Sequence, residues 1–234
     1  MIAIIKRELK AYFTSPLGYI FLGGFYLVSG VFFYLCNLAA ATADVSSMYS
    51  LIFTVTLLLL PLLTMRLMSE EKKQKTDQLL LTAPISLGGQ VFGKFFAAFI
   101  MYVLGLSVTL LYALILTAYT SPGWAMVLGN YLGLLLVGGA IIAIGVFVSA
   151  LTESQVVAAI GTYGAVLFVL LIDALASLFT SEVAKKVIYS VSFYSRYMEF
   201  TQGLFNLEHV VFFISVYAVF IFLTVRLLEK KRWN

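Results

Sequence analysis

The sequence predicts an all-α integral membrane protein: six transmembrane helices preceded by a short amphipathic helix at the membrane interface. Three observations predict it. From Phe95 to Thr152 there is no Asp, Glu, Lys, Arg or His, and the one strong interruption is Pro122-Gly123. Apolar residues make up 62% of the chain and charged residues 11%, far below the ~25% charge of soluble domains. The Lys and Arg residues flank the apolar runs and form no basic domain of their own. A hydrocarbon core about 30 Å thick takes about 20 helical residues to cross. The charge-free stretch therefore holds two crossings, with a turn at Ser121-Pro122-Gly123.

The chain opens on an amphipathic pattern. Wound as a helix, Ile2, Ile5, Leu9, Tyr12 and Phe13 share one apolar arc, while Lys6, Arg7 and Lys10 occupy the adjoining one. Such a helix lies in the headgroup layer with its apolar edge among the acyl chains. Ser15-Pro16 then breaks it. The alternative, that residues 2–14 extend the first span, sits poorly with the charges at 6–10. A secretory signal is also weighed, because Ala41-Thr42-Ala43 looks like a cleavage site. The charge-free run Ala11–Ala43 far exceeds the about 7–15 residues of a signal core, so the first span is expected to stay.

Further charge-free runs, Val45–Met65, Ser154–Ile172 and Val210–Val225, complete the set. The expected spans are 17–38, 49–67, 94–118, 126–150, 155–178 and 209–228. They form one permease-sized domain, 1–234: an interfacial helix (1–15), spans one and two (16–68), a loop (69–93), spans three to five (94–178), an external segment (179–208), and span six with a basic tail (209–234). Backbone groups in hydrocarbon must be satisfied internally, so each span is a helix. With this threading only Lys185, Lys186 and Arg196 fall on one side; every other Lys and Arg falls on the side of the termini. The positive-inside rule puts both termini and the 69–93 loop in the cytoplasm.

Several function classes drop out. Cys36 is the single cysteine and His209 the single histidine, which leaves no disulfide within the chain and no thiolate or histidine metal cluster. The formal charge of +4 is spread along span ends, which argues against nucleic acid. Gly88-Gly89-Gln90-Val91-Phe92-Gly93-Lys94-Phe95 nearly matches a phosphate-binding loop, but Phe follows the lysine where a magnesium-binding hydroxyl belongs, and no strand precedes it. The chain is thus expected to bind no cofactor and to catalyse nothing itself. Asp173 is the one acid placed within a span; it serves either a transport path or the headgroup layer at the outer end of span five. Pro61 in span two and the glycines 129, 133, 138, 139 and 145 of span four are candidates for a bistable gate, with close helix packing as the alternative for the glycines.

The densest charge lies in Ser69-Glu70-Glu71-Lys72-Lys73-Gln74-Lys75-Thr76-Asp77, followed by Gln78-Leu79-Leu80-Leu81-Thr82-Ala83-Pro84-Ile85-Ser86. Ser69 is expected as an N-cap, with Glu70 and Glu71 against the helix dipole and Pro84 ending the helix. Its leucines either present a docking surface or tuck back onto the bundle.

This loop, the Ser149-x-Leu151-Thr152-x-x-Gln155-x-x-Ala158-Ala159 stretch, and the opening Lys6-Arg7-Glu8-Leu9-Lys10…Tyr12-Phe13-x-Ser15-Pro16 together resemble ABC-2-type transporter permeases. The nearest likeness is to the gliding-motility-associated permease subunits, with copper-maturation and other export permeases nearby. One departure is Lys75, where many members carry glycine. The resemblance implies the ABC-2 exporter permease architecture, in the bacterial cytoplasmic (inner) membrane. It implies a cytoplasmic ATPase, holding ATP and magnesium, that docks on the loop between spans two and three. Glu70 and Glu71 would approach that ATPase; Thr76, Leu80 and Pro84 would shape the coupling helix; Glu153 would cap the next turn or touch the same partner. Ile5, Leu9, Tyr12 and Phe13 would seat the interfacial helix. A second permease copy or sister permease, membrane lipid and an external auxiliary protein are the other implied partners, and no nucleic acid. The competing class is a secondary transporter or channel independent of ATP.

Overall fold

A computed structural model describes residues 1–76, 86–176, 192–203 and 205–233. Those residues are helical apart from short turns. Helix α1 (Ile2–Thr14) ends where Ser15 turns extended (φ −102°, ψ 152°), and Pro16 begins α2 (Pro16–Phe33). The missing N–H of Pro16 costs nothing at a first helical position, which is why Ser15-Pro16 breaks the chain as expected. Helix α2 widens at its C-terminal end into a π-helical turn, Tyr34–Leu38. Asn37 there donates to the carbonyls of Thr42 and Asp44, closing the turn that leads to the next helix.

Helix α3 (Ser46–Thr64) passes through one residue, Met65, into α4 (Arg66–Lys73). Helix α5 (Leu87–Thr117) starts well before the expected 94, because Ser86 accepts a hydrogen bond from the Gly89 N–H as its N-cap. The near-match to a phosphate loop is therefore helix from Leu87 onward. After Ser121-Pro122-Gly123 come α6 (Trp124–Leu151) and α7 (Gln155–Ala176). A short α8 (Phe193–Thr201), capped by Ser192, precedes α9 (Leu207–Trp233). Six of these helical stretches are long and apolar enough to cross a membrane.

Helix α6 is the hub. Its apolar stretch is 72% buried, against 22% for α2 and 17% for α9, and it packs on α3, α4, α5, α7, α8 and α9. Its glycines explain how. A Cβ on Gly138 would stand 2.1 Å from a ring carbon of Tyr102, and one on Gly139 would stand 2.5 Å from the Tyr217 hydroxyl. Each ring returns a hydrogen bond: Tyr102 Oη donates to the Leu134 carbonyl at 2.9 Å and Tyr217 Oη to the Leu136 carbonyl at 2.5 Å. Lipid offers helices no hydrophobic drive to associate, so contact rests on close approach and hydrogen bonds. Of the two readings of these glycines, packing is the one the structure describes.

Pro61 is buried in α3. A proline at 61 leaves the Leu57 carbonyl without its helical donor; at the neighbouring residue the Tyr163 hydroxyl of α7 donates to the Leu58 carbonyl at 2.7 Å.

Candidate coupling face

Helix α4 ends in a C-terminal motif that sequence patterning alone did not reveal. The Thr76 N–H bonds the Glu71 carbonyl at 2.9 Å and the Lys75 N–H bonds the Lys72 carbonyl at 3.0 Å. Lys75 sits at φ 56°. This pair of bonds around a left-handed residue is the Schellman arrangement, in which that position favours glycine. The glycine carried there by many ABC-2-type permeases thus has a conformational reason, and Lys75 adopts the same turn at a cost. Thr76 adds a side-chain bond, its hydroxyl donating to the Glu71 carbonyl at 3.3 Å.

Ser69 corrects one expectation. It is not an N-cap; it lies inside α4, fully buried, its hydroxyl donating to the Met65 carbonyl at 2.5 Å. The helix enters from α3 without a break in helical dihedrals at Met65, so no N-terminus exists there to cap. The expected unbroken run toward Pro84 is interrupted, since α4 ends at Lys73, and residues 77–85, Leu80 and Pro84 among them, lie outside the described residues.

Charge organises the rest. Glu71 stands 2.6 Å from Lys94 of α5 and 2.5 Å from Arg7 of α1. Glu8 pairs with Arg7 at 2.6 Å and approaches Lys94 at 3.9 Å. Lys94 is buried, its side chain 2% exposed, and its ammonium also donates to the Leu67 carbonyl. A buried cation persists only when paired and hydrogen-bonded, and Lys94 is both. Burial lowers the Arg7 pKa, but Glu8 and Glu71 outweigh that and hold the guanidinium above its ordinary value. Glu70 pairs with Arg66 at 3.1 Å one turn back.

The interfacial helix divides its apolar face. Ile4 and Tyr12 are buried, Ile5 and Leu9 half-buried, while Ile2 and Phe13 are exposed. The edge against the bundle is thus Ile4-Glu8-Tyr12, spaced one turn apart. Ile4 covers Gly93 of α5, where a Cβ would meet its side chain at 2.9 Å. Tyr12 Oη donates to the Leu63 carbonyl at 2.8 Å.

Helix α6 reaches the same face. Ser149 Oγ donates to the Met65 carbonyl at 3.0 Å and accepts from the N–H groups of Met68 and Ser69, each at 3.1 Å. Lys72 extends to the Ala150 carbonyl. One hydroxyl therefore spans the join between α3 and α4. Beyond it, the α6–α7 turn is closed by Thr152 and Ser154, the latter accepting from Val157 N–H as the start of α7. Capping belongs to Ser154; Glu153 is exposed and, with Lys73, Gln155 and Val156, borders a depression of about 380 Å³.

The structure thus gathers Glu70, Glu71, Thr76 and Glu153 with α1 on one face. Pro61 lies apart in α3, and the backbone of Asp173 lies near the opposite end of α7, its side chain outside the described residues. Arg7, Glu8 and Ser149 were not singled out for this site. Ser149 stood in a recognised motif, and Glu8 was the lone acid among the basic residues of α1.

At the other end of the bundle α8 is pinned to α9. Arg196 Nη1 lies 2.7 Å from His209 Nδ1, and His209 Nε2 lies 2.6 Å from Glu199. An arginine only donates, so Nδ1 accepts and Nε2 carries the proton toward the carboxylate. The Arg196 guanidinium also lies 4.3 Å from the centre of the Phe212 ring.

Together these features define a class: a multi-pass helical membrane protein with a charged face built from α1, the α3–α4 helix, the start of α5 and the α6–α7 turn. Residues 14–164, from the end of α1 into α7, match the ABC-2 family transporter protein family. The match spans more than half of the chain, and the chain belongs to that family. It is the transmembrane kind of component, in a family that usually works with a cytoplasmic ATPase. No curated protein matches the chain.

Proposed function

We propose that this chain is the membrane-spanning permease subunit of an ATP-driven exporter, powered by a separate ATPase that binds ATP and magnesium and docks on the charged face. The single observation that carries the reading is the double anchorage of α4. Its Glu71 is tied to α1 and α5 through Arg7 and Lys94, and its start is tied to α6 through Ser149. A push on Glu70, Glu71 or Thr76 cannot displace α4 alone. It carries the foot of α6, and α6 touches nearly every other span. Ionic and hydrogen-bonded contacts of this kind transmit force because they have discrete arrangements.

In this reading the segment from Glu70 through Leu80 and Pro84 is the coupling element, and Glu153 with the neighbouring depression is a second contact for the same ATPase. Pro61 and Asp173 are candidates for gate and path. Both termini face the cytoplasm of a bacterium, in its inner membrane, and two permease copies, or this chain and a sister permease, enclose the path. The resemblance to gliding-motility-associated subunits supports that kind of export system.

The test is reconstitution with the ATPase encoded nearest to it. The expected result is a stable complex whose ATP hydrolysis rises in the presence of the permease and falls back with Glu71→Ala. A permease that never retains a nucleotide-binding partner, and that moves solute on an ion gradient alone, would make it a secondary transporter.

A further inference from the structure

At the elbow between α1 and α2 the bundle leaves an open cleft of about 380 Å³, a volume within the ~300–1,000 Å³ of small-molecule sites. Leu17, Ile20 and Phe21 of α2 form one wall, and Leu59 and Leu62 of α3 the other. Ile20 and Leu62 remain exposed along it. Ser15 and Arg66 close the end nearest α1. The cleft therefore runs from an apolar trough between two spans to the Arg66 guanidinium, whose ion-pair partner Glu70 lies one helical turn further on.

That charged pair is fixed in place. Arg66 Nη1 donates to Ser15 Oγ at 2.8 Å, Arg66 Nε faces Glu70 at 3.1 Å, and the guanidinium lies 5.6 Å from the centre of the Tyr12 ring. A guanidinium carries five N–H donors in a rigid fork, more than these contacts use. Its planar fork suits phosphate oxygens. The carboxylate of Glu70 beside it repels additional negative charge and attracts an ammonium group.

We infer that the cleft binds one aminophospholipid from the surrounding leaflet: an acyl chain between α2 and α3, the phosphate on Arg66 and the headgroup amine toward Glu70. Charge complementarity selects this occupant. A zwitterionic ethanolamine headgroup answers both members of the pair, whereas a glycerol headgroup answers only the cation. A bound lipid here would brace the elbow that holds α1 against Leu63. The inference rests on the membrane-subunit reading, but its readout needs no ATPase, so failure of lipid binding and failure of coupling are separate results.

The test uses the full chain in mild detergent, with phosphatidylethanolamine and phosphatidylglycerol added separately and retention read by native mass spectrometry. A photoactivatable acyl chain locates the adduct. One retained phosphatidylethanolamine is expected, crosslinked to the peptides carrying Ile20 or Leu62. Arg66→Leu should weaken retention about tenfold, the loss of one charge-assisted hydrogen bond. Glu70→Gln should abolish the preference over phosphatidylglycerol. Because Arg66 also holds Ser15, Leu62→Trp provides a variant that fills the trough and leaves the charged pair intact; it too should lose the lipid while still eluting as a folded species. Equal retention of phosphatidylglycerol by the native chain, or undiminished retention by folded Leu62→Trp, overturns the assignment.

Discussion

The Lys94 ammonium, 2% exposed, stands 2.6 Å from the Glu71 carboxylate and so joins the start of α5 to the end of α4. Removing the cation leaves Glu71 and Glu8 facing each other with only Arg7 between them. Breaking a buried ion pair from one side typically costs about 3–5 kcal/mol, and the partial exposure of Glu71 (18%) places Lys94→Met at the lower end of that range. Thermal unfolding in detergent measures it. The double variant with Glu71→Gln should lose less than the two single losses combined, by about 1–3 kcal/mol.

Ser149→Ala tests the staple across the α3–α4 join. It deletes a donor to the Met65 carbonyl and an acceptor for two N–H groups, all in a buried setting. A loss of about 1–3 kcal/mol follows from leaving the two N–H groups unpaired, while the Met65 carbonyl keeps the Ser69 hydroxyl. If α6 receives the motion through this hydroxyl, ATPase stimulation should fall further than stability alone accounts for, and Ser149→Thr should restore part of it.

Lys75 occupies a left-handed turn at φ 56°. Residues with a Cβ pay about 1–2 kcal/mol there, so Lys75→Gly should stabilise the end of α4 by about 1 kcal/mol. Slower backbone amide exchange at Thr76 would register it. Lys75→Val should act in the opposite direction.

Gly138 and Gly24 make a matched pair. A Cβ at Gly138 would strike the Tyr102 ring, while one at Gly24 meets nothing within 4 Å. Gly138→Ala should cost about 1–3 kcal/mol through overpacking, and Gly24→Ala should be neutral or slightly stabilising, as expected for Gly to Ala in an open helix position. Melting temperatures of the two variants should separate cleanly.

Hydrogen bonds from His209 and then Asn206 hold the Glu199 carboxyl below the ordinary carboxylate range. A carboxyl depressed in the folded state stabilises it above the unfolded pKa, about 4.3, and that contribution disappears as pH falls through the native value. Stability measured from about pH 6 down to about pH 3 should therefore drop on the acid side, and Glu199→Gln should flatten that drop.

The six spans and the break at Ser15-Pro16 were legible because they depend on local facts: runs without charge, and a proline at a first helical position. The extension of α5 back to Leu87 was not, because the glycines at 88 and 89 read as a loop until the Ser86 cap is seen. Ser69 misled for the converse reason. A serine before two glutamates looks like a cap only if a helix begins there, and α3 runs on through Met65 instead.

Within the candidate face, Glu70, Glu71 and Thr76 stood out by charge density and resemblance. Arg7 and Glu8 did not, since beyond pairing with each other they meet partners far away in sequence, and only the docking of α1 brings them to Glu71 and Lys94.

Composition and the placement of lysines and arginines were enough to dictate a helical bundle in lipid, because hydrocarbon tolerates neither unpaired backbone nor stray charge. Which helix became the centre was decided only in three dimensions. Helix α6 won that place because its glycines admit the rings of Tyr102 and Tyr217 to its backbone, a fit between distant segments that no local pattern encodes. The same holds for the cationic end of the lipid cleft, where Arg66 and Ser15 meet only after two spans have packed side by side.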